Sequence, residues 1–249
     1  MFPLSDENPT ELVPFVTVAL IVANVAVWLF VQGAGFGERF LESLCVYGAI
    51  PGEITGAIPG GQWIPLGPAS CRTGGLAAGA LVSSMFLHGG WMHLIGNMWF
   101  LWIFGNNVED SMGHVRFLCF YLLCGLAAAG LQVASNPDSA IPMVGASGAI
   151  GGVMGAYIVL YPKVRVHMLL VLGFYVTRIV VPALFMLGYW FAMQFLGGAV
   201  ALGRAGEGGV AFWAHVGGFA AGALLIFPFR VREMVDRHPH HGWSPRRAR

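Results

Sequence analysis

Six segments of the chain are almost uncharged and long enough, or nearly long enough, to cross a membrane as helices. A bilayer offers no water to the backbone, so a spanning segment must satisfy its own N–H and C=O groups, as an α-helix does. The windows are too many for one cleaved signal peptide, and a composition of 57% hydrophobic and 10% charged residues excludes an ordinary soluble domain. We therefore predict an all-α fold, a polytopic membrane protein built as a bundle of six transmembrane helices. The predicted spans are residues 12–32, 91–105, 117–135, 147–161, 180–200 and 210–229.

Residues 1–229 are expected to form the membrane domain, and residues 230–249 a basic, disordered tail. An even number of spans places both termini on one side. If that side is the cytoplasm, ten Lys and Arg residues lie inside and three outside, which favours cytoplasmic termini by the positive-inside rule. Six of the ten lie in the tail, so without it the margin narrows to four against three. The net charge of +1 gives no indication of a nucleic-acid partner.

The connector between the first two spans, residues 33–80, is expected to lie outside and partly in the lipid headgroups. The reason is that apolar side chains are scattered among its many Gly and Pro residues. It holds Cys45 and Cys71, which an oxidising compartment would allow to pair, and two free thiols are an equally open alternative. Residues 164–178 are amphipathic and are expected to lead into the fifth span.

The fourth span places one hydroxyl, that of Ser147, at the start of a glycine-rich apolar helix. Prolines bracket the 15 residues 147–161, a helix of about 22 Å against a hydrocarbon core of about 30 Å, so its first residue should face a recess. Gly145 and Gly148 leave the neighbouring backbone N–H groups open to a ligand, and the positive end of the helix points at that ligand. The segment therefore suits an oxyanion. Close helix packing through small residues such as Gly148 and Gly152 is the alternative explanation.

Polar residues of two other spans are predicted to lie near the depth of Ser147. His93 and Asn97 are four apart, so they share one face of a helix that begins near Trp91. Ser147 and His215 each lie 14 residues above the inner ends of their spans, which is about 21 Å. The same count gives about 18 Å for His93 and about 12 Å for Asn97. We therefore expect these four side chains to converge in one cavity.

A serine beside a neutral imidazole is the minimal arrangement for nucleophilic acyl transfer. Every Asp and Glu falls in a loop, a tail or the inner end of a helix, so the prediction is a Ser147–His215 dyad without a carboxylate. Asn97, His93 and the open backbone around Gly145 and Ser147 are the candidate oxyanion donors. We predict no cofactor and no metal. A zinc site from His88, His93 and His215 is an alternative by ligand type, but H-E-x-x-H is absent from the sequence.

Three separated motifs resemble those of the rhomboid intramembrane serine proteases, in the order and on the helices of that family. The resemblance covers the chain from the first span to about Phe229. It implies six helices, a serine nucleophile with a histidine base, and transmembrane protein substrates that are cut near the outer membrane face. It also implies a multi-pass protein in the lipid bilayer of a bacterial plasma membrane. The motifs are His88 with Gly-Trp-Met-His93-Leu-Ile-Gly-Asn97, Gly145-Ala-Ser147-Gly148 and Ala214-His215-Val-Gly-Gly218, with Glu109 and Gly113 as further matches.

The chain departs from the pattern of some rhomboid members in two places. Where those members carry an aromatic residue one turn after the serine, stacked on the histidine, this chain has Gly151, so the residue that orients His215 is not predicted. The Trp-Arg pair of the outer loop is also absent, and the nearest residues of those types, Trp63 and Arg72, are separated.

Other classes of function compete with a protease. A catalytically inactive rhomboid-like protein that binds membrane clients is the runner-up, although such relatives typically lose the serine or the histidine, and both are present here. A channel or transporter is disfavoured because paired intramembrane charges and an internal repeat are missing from the sequence. The sequence does not define an oligomeric state.

Overall fold

The structure, a computed structural model, describes residues 2–66, 69–202, 210–238 and 240. Helices dominate it, as predicted for an all-α membrane protein, and two small antiparallel sheets accompany them. The elements in chain order are β1 (Phe2–Asp6), α1 (Phe15–Ala26), α2 (Gly37–Tyr47), α3 (Pro51–Thr55), β2 (Trp63–Leu66), β3 (Ala69–Arg72), α4 (Ala80–Ser83), α5 (Trp91–Met112), α6 (His114–Ser135), α7 (Ser147–Leu160), β4 (Arg165–Leu172), β5 (Tyr175–Pro182), α8 (Ala183–Leu202), α9 (Phe212–Phe229) and α10 (Arg232–Arg237).

The bundle consists of six of these helices: α1, which continues as a π-helical turn, α5, α6, α7, α8 and α9. Within the described part, three helices are long and apolar enough to cross a membrane by length and composition, namely His114–Ser135, Ala183–Ala201 and Phe212–Phe229. The helices at Phe15–Val31 and Ser147–Leu160 are apolar but shorter. The protein is thus an integral membrane protein. We call the end of the bundle where α5, α7 and α9 begin the cavity end, and the end where they finish the opposite end.

Helix boundaries agree with the predicted spans most closely at the cavity end. α5 begins at Trp91 and α7 at Ser147, as the sequence predicts. α5 continues to Met112, however, whereas the predicted span ends at residue 105. The apolar segment of the sequence ends at residue 105 because polar side chains follow. The helix continues to Met112 because several of those side chains form hydrogen bonds with other segments. α8 begins at Ala183, three residues after the predicted start of its span.

α7 and α9 pack backbone against backbone. A Cβ atom at Gly218 would lie 1.9 Å from the carbonyl oxygen of Gly148, and one at Gly222 would lie 1.9 Å from that of Gly152. A side chain at either position would force the helices apart, so these glycines are required for the packing. The same contact sets the start of α7 beside the first turns of α9, which positions the candidate site.

Two carboxylates at the opposite end cap the start of α1. Glu109 accepts hydrogen bonds from the backbone N–H groups of Val16 (2.9 Å) and Thr17 (2.8 Å). Asp110 accepts one from the N–H of Leu12 (2.7 Å) and another from the residue before it. N–H groups in the first turn of a helix have no intrahelical acceptor, and negative charge is favourable there. The acidic residues near the end of α5 are therefore structural.

The amphipathic stretch 164–178 forms most of a β-hairpin, which the sequence analysis did not predict. β4 and β5 pair antiparallel from Arg165 and Pro182 at the base to Leu172 and Tyr175 at the tip. β1 adds to the free edge of β4, so the sheet order is β1-β4-β5. Short apolar runs do not distinguish a strand from a helix by periodicity. The left-handed φ of +59° at Gly173 provides the turn between the two strands.

The connector at residues 33–80 is more ordered than its composition suggests. It contains α2, α3, and the hairpin of β2 and β3. A disulfide joins Cys45 in α2 to Cys71 in β3, with a Cα–Cα distance of 5.3 Å, so of the two alternatives that the sequence leaves open the structure has the bridge. The bridge holds the connector as one folded unit at the cavity end.

The start of the predicted disordered tail is folded. Residues 232–237 form α10, and Val235 is buried with 1% of its surface exposed. His238 is also buried, and its Nε2 lies 2.9 Å from the carbonyl oxygen of Pro9. The expectation of a disordered tail is wrong for this part, because Val231, Met234 and Val235 are interspersed among its charged residues and Val235 packs into the core. Residues 239 and 241–249 lie outside the described residues.

Candidate active site

Ser147 and His215 are in hydrogen-bond contact. Ser147 is the first residue of α7, and His215 lies in the first turn of α9. The distance between Ser147 Oγ and His215 Nε2 is 2.7 Å. The equal depths that the sequence predicts for these residues therefore correspond to direct contact, which the glycine packing of α7 on α9 makes possible. Such a pair can transfer the serine proton to the imidazole.

The other side of the His215 ring contacts α8. Its Nδ1 lies 2.8 Å from Oε1 of Gln194. The indole ring of Trp190, one turn earlier on α8, lies with its centroid 5.7 Å from the imidazole centroid. A Cβ atom at Gly151 would lie 3.2 Å from the His215 carbonyl oxygen and 3.8 Å from the Trp190 ring. The space beside Gly151 is therefore tight, and a tryptophan from the neighbouring helix lies against His215.

Gln194 and Trp190 are the site residues that the sequence analysis missed. Gln194 is the one residue with a strongly polar side chain in α8, which is otherwise apolar or aromatic. A polar group within a membrane helix usually faces the bundle interior. That rule, applied to the fifth span as it was to His93, would have selected Gln194. Its spacing of four residues from Trp190 would then have placed both on one helix face.

His93 directs Nε2 into the cavity. Its Nδ1 accepts a hydrogen bond from the backbone N–H of Gly89 (3.3 Å), so the ring proton resides on Nε2. A Cβ atom at Gly145 would lie only 2.7 Å from this Nε2, and Gly145 has a left-handed φ of +127°. Glycine is therefore required at position 145 for two reasons, and His93 Nε2–H is a free donor close to Ser147. The His88 ring packs edge-on against His93, with centroids 5.2 Å apart.

Asn97 lies one turn further along α5 and is 8% exposed. Its amide nitrogen Nδ2 is buried and has no hydrogen-bond partner among the described residues. A buried donor without a partner is costly, so its persistence suggests that the partner is a ligand. The backbone N–H of Ser147 is also available, since the first residue of a helix has no intrahelical acceptor.

Gly145 is not an oxyanion donor, so the prediction from the sequence is wrong at this position. Its N–H donates to the carbonyl oxygen of Ser84 at 2.9 Å. That hydrogen bond fixes the loop before α7 and uses the donor. The role of Gly145 is therefore to leave space for His93.

The candidate residues line one cavity of about 1260 Å³, which also borders the loop between α6 and α7. Asp138 on that loop, at the exposed rim, is the only carboxylate among the described lining residues. In the described ranges, no group of three or more His, Cys, Asp or Glu side chains is arranged to hold a metal ion. The lining residues that carry the site are Ser147, His215, Asn97, His93 and Trp190.

A second polar contact fixes the loop that leads into α5. Buried Gln32, at the end of α1, accepts from the backbone N–H of His88 (2.8 Å) and donates to the carbonyl oxygen of His88 (2.9 Å). Trp28, which is fully buried, packs edge-on against Trp91 with centroids 5.5 Å apart. The start of α5, and with it His93, is therefore anchored to α1.

Comparison with known proteins agrees with this architecture. The Rhomboid domain family matches residues 77–232, which is more than half of the chain. RHOMBOID-like protein 4 of Arabidopsis thaliana is 33% identical over 170 residues, 67% of this chain and 36% of that protein. The rhomboid protease GluP of Bacillus subtilis is 29% identical over 209 residues, 84% of this chain and 34% of GluP. Rhomboid-like protease 5 of Toxoplasma gondii is 31% identical over 173 residues, 68% of this chain and 18% of that protein.

The fold and the site define a class of protein: an integral membrane helix bundle whose cavity holds a serine and a histidine in contact. The chain belongs to the rhomboid family, which includes intramembrane proteases. It spans about a third of the length of the first two relatives named above.

Proposed function

We propose that this protein is an intramembrane serine endopeptidase that cleaves transmembrane protein substrates through a Ser147–His215 dyad. The observation that carries the proposal is the 2.7 Å contact between Ser147 Oγ and His215 Nε2 inside a cavity lined by free donors. The protease names of the relatives from Bacillus subtilis and Toxoplasma gondii support the same reaction class.

In the proposed reaction each group of the site has one role. His215 Nε2 accepts the hydroxyl proton while Ser147 Oγ bonds to the carbonyl carbon of the scissile peptide. The negative charge that develops on the carbonyl oxygen is stabilised by the Ser147 N–H, Asn97 Nδ2 and His93 Nε2–H. When the C–N bond breaks, His215 returns the proton to the leaving amine. A water molecule then loses a proton to His215 and attacks the acyl-serine ester; the bond between the acyl carbon and Ser147 Oγ breaks, His215 returns the proton to Ser147 Oγ, and the carboxylic acid product leaves.

The orientation of the chain belongs to the same proposal. We infer cytoplasmic termini in a bacterial plasma membrane, with the cavity end facing outward, so that cleavage occurs near the outer face. The excess of Lys and Arg at the opposite end supports this orientation. So does the disulfide at the cavity end, since disulfides persist in oxidising compartments. Reporter fusions after Arg249 and within the connector test this orientation. Activity of the terminal reporter only outside the cytoplasm would show that the topology is the opposite one.

The direct test uses purified protein and a serine-directed fluorophosphonate. The wild type should be labelled covalently and should cleave a single-span model substrate, whereas Ser147→Ala should do neither while keeping the melting temperature of the wild type. His215→Ala should also lose cleavage. Cleavage that persists in Ser147→Ala and stops with a metal chelator would replace the serine mechanism with the metal one. A wild type that binds such substrates but neither reacts nor cleaves would favour the inactive, client-binding function.

A further inference from the structure

We propose that Gln194 is a positioning residue for His215, and that its carboxamide oxygen completes a Ser–His–Gln arrangement. The inference rests on the proposed protease function, and it assigns a role that the dyad alone leaves open. A histidine with a rotatable ring and two tautomers needs a partner to present Nε2 to the serine.

The contacts around the ring define that partner. Nδ1 of His215 lies 2.8 Å from Gln194 Oε1, and Nε2 lies 2.7 Å from Ser147 Oγ, so both nitrogens are engaged. Trp190 lies beside the imidazole at a centroid distance of 5.7 Å, with the two rings tilted by 39°, and it also contacts Phe219, one turn after His215 on α9. The indole limits the space into which the imidazole can tilt, and the hydrogen bond to the carboxamide fixes which way the ring is turned.

The tautomer follows from which group accepts. Gln194 Oε1 can only accept, so Nδ1 carries the proton and Nε2 has the free lone pair that takes the proton of Ser147. The reversed amide would present an N–H group to Nδ1 and place the ring proton on Nε2. That tautomer cannot act as a base toward Ser147. The catalytic requirement and the hydrogen-bond geometry therefore select the same orientation of the carboxamide.

A carboxamide also suits the surroundings better than a carboxylate. α8 and α9 have no charged residue among their described positions apart from His215 if it is protonated. A carboxylate within the bundle would need a permanent cationic partner to offset its desolvation. A neutral Gln orients the imidazole and stabilises the transient imidazolium through its dipole, without leaving an unpaired charge in the resting state.

Few titratable groups face His215. His93 on α5 lies across the cavity, and Asp138 on the α6–α7 loop lies at its exposed rim. The described lining residues from α7, α8 and α9 add no other charged group. A change in the acid limb of the pH profile on substitution of Gln194 is therefore assigned to His215.

The experiment compares two Gln194 variants and a control in the full-length protein. Gln194→Met keeps the length but removes the acceptor, and it should lower kcat about 10- to 100-fold with KM nearly unchanged. This is less than the roughly 10⁴-fold loss when the charged carboxylate of a triad is replaced. Gln194→Glu keeps the acceptor and should retain more activity than Gln194→Met. The control is Met193→Leu, on the adjacent exposed face of α8, which should behave as the wild type.

The pH profile of kcat/KM separates positioning from a structural role. Loss of the acceptor destabilises the imidazolium, so the acid limb should shift to lower pH in Gln194→Met. A carboxylate stabilises the imidazolium, so the limb should shift to higher pH in Gln194→Glu. Opposite shifts support the proposal. Wild-type kcat and an unmoved limb in both variants, or a lowered melting temperature as the only effect, would overturn it. Absence of cleavage and of fluorophosphonate labelling in the wild type would instead refute the proposed function.

Discussion

Two buried polar side chains of α5, one towards each end of the bundle, differ in how they are partnered. At the opposite end, both oxygens of Glu109 accept backbone hydrogen bonds from the first turn of α1, and both oxygens of Asp110 accept them from the segment just before α1. At the cavity end, the amide nitrogen of Asn97 is buried without a partner among the described residues. Polar groups that are saturated by the protein hold the fold together, whereas an unsatisfied donor beside Ser147 is available to a substrate.

The comparison also explains how residues that match the family pattern can be of both kinds. Glu109 and Asn97 lie on the same helix, 12 residues apart. Each is buried in a membrane helix, so each qualifies equally as a functional candidate by type. Only the partners distinguish them. Substitutions at the two ends should therefore affect different measured quantities, catalysis at one end and stability at the other.

The largest effect within this comparison is expected at Asn97. Asn97→Ala should lower kcat about 100- to 1000-fold with KM nearly unchanged, because the oxyanion exists only near the transition state and the Ser147 N–H and His93 remain as donors. The melting temperature should stay close to that of the wild type. Steady-state kinetics and thermal unfolding on one purified sample check both. Normal turnover with a lowered melting temperature would show that Asn97 stabilises the fold and takes no part in catalysis.

A smaller effect, on stability instead of turnover, is expected at Glu109. Glu109→Gln replaces one acceptor oxygen with an amide and removes the charge that caps α1, which should lower the free energy of unfolding by about 2 kcal/mol. Below the melting transition, kcat should stay within about twofold of the wild type, an estimate that treats the two ends as independent sites. Thermal unfolding in detergent and cleavage kinetics measure the two quantities. A large loss of kcat with unchanged stability would show that the ends are coupled.

The smallest effect is expected at Asp6, and it depends on pH. Burial raises the pKa of the Asp6 carboxyl to about 6 from 3.8, against the hydrogen bond donated by the Tyr157 hydroxyl. The folded state therefore binds the proton more tightly than the unfolded state. The stability from this group is fully present below pH 3.8 and is lost as pH rises through 6.

Asp6→Asn should remove this pH dependence while keeping an acceptor for Tyr157. At pH 7.5 the variant should melt at a higher temperature than the wild type, and at pH 5 this difference should be smaller. Glu42→Gln, which removes an exposed carboxylate inside α2, serves as the control for the loss of one carboxylate. An equal difference in melting temperature between variant and wild type at both pH values would show that the pKa of Asp6 is the same in the folded and unfolded states.

The pattern of apolar residues along the sequence predicted most of the helices, because a membrane restricts the backbone to few conformations. A backbone in lipid must bond to itself, so apolar length alone indicates a helix. This reasoning placed the starts of α5 and α7 at Trp91 and Ser147. It failed where the backbone is bonded to a distant segment. β4 bonds to β1, which lies more than 150 residues earlier, and α10 packs where His238 meets Pro9.

The same distinction applies to the site. The sequence by itself determined that Ser147, His215, His93 and Asn97 belong at one depth, because residue counts along rigid helices translate directly into distance along the membrane normal. Rotation of each helix about its axis does not follow from such counts. It is set by packing, here by the glycine contact of α7 with α9. Only the tertiary structure could therefore decide that Gln194 and Trp190 face His215, that the N–H of Gly145 is already bonded to Ser84, and that the buried amide nitrogen of Asn97 has no partner among the described residues.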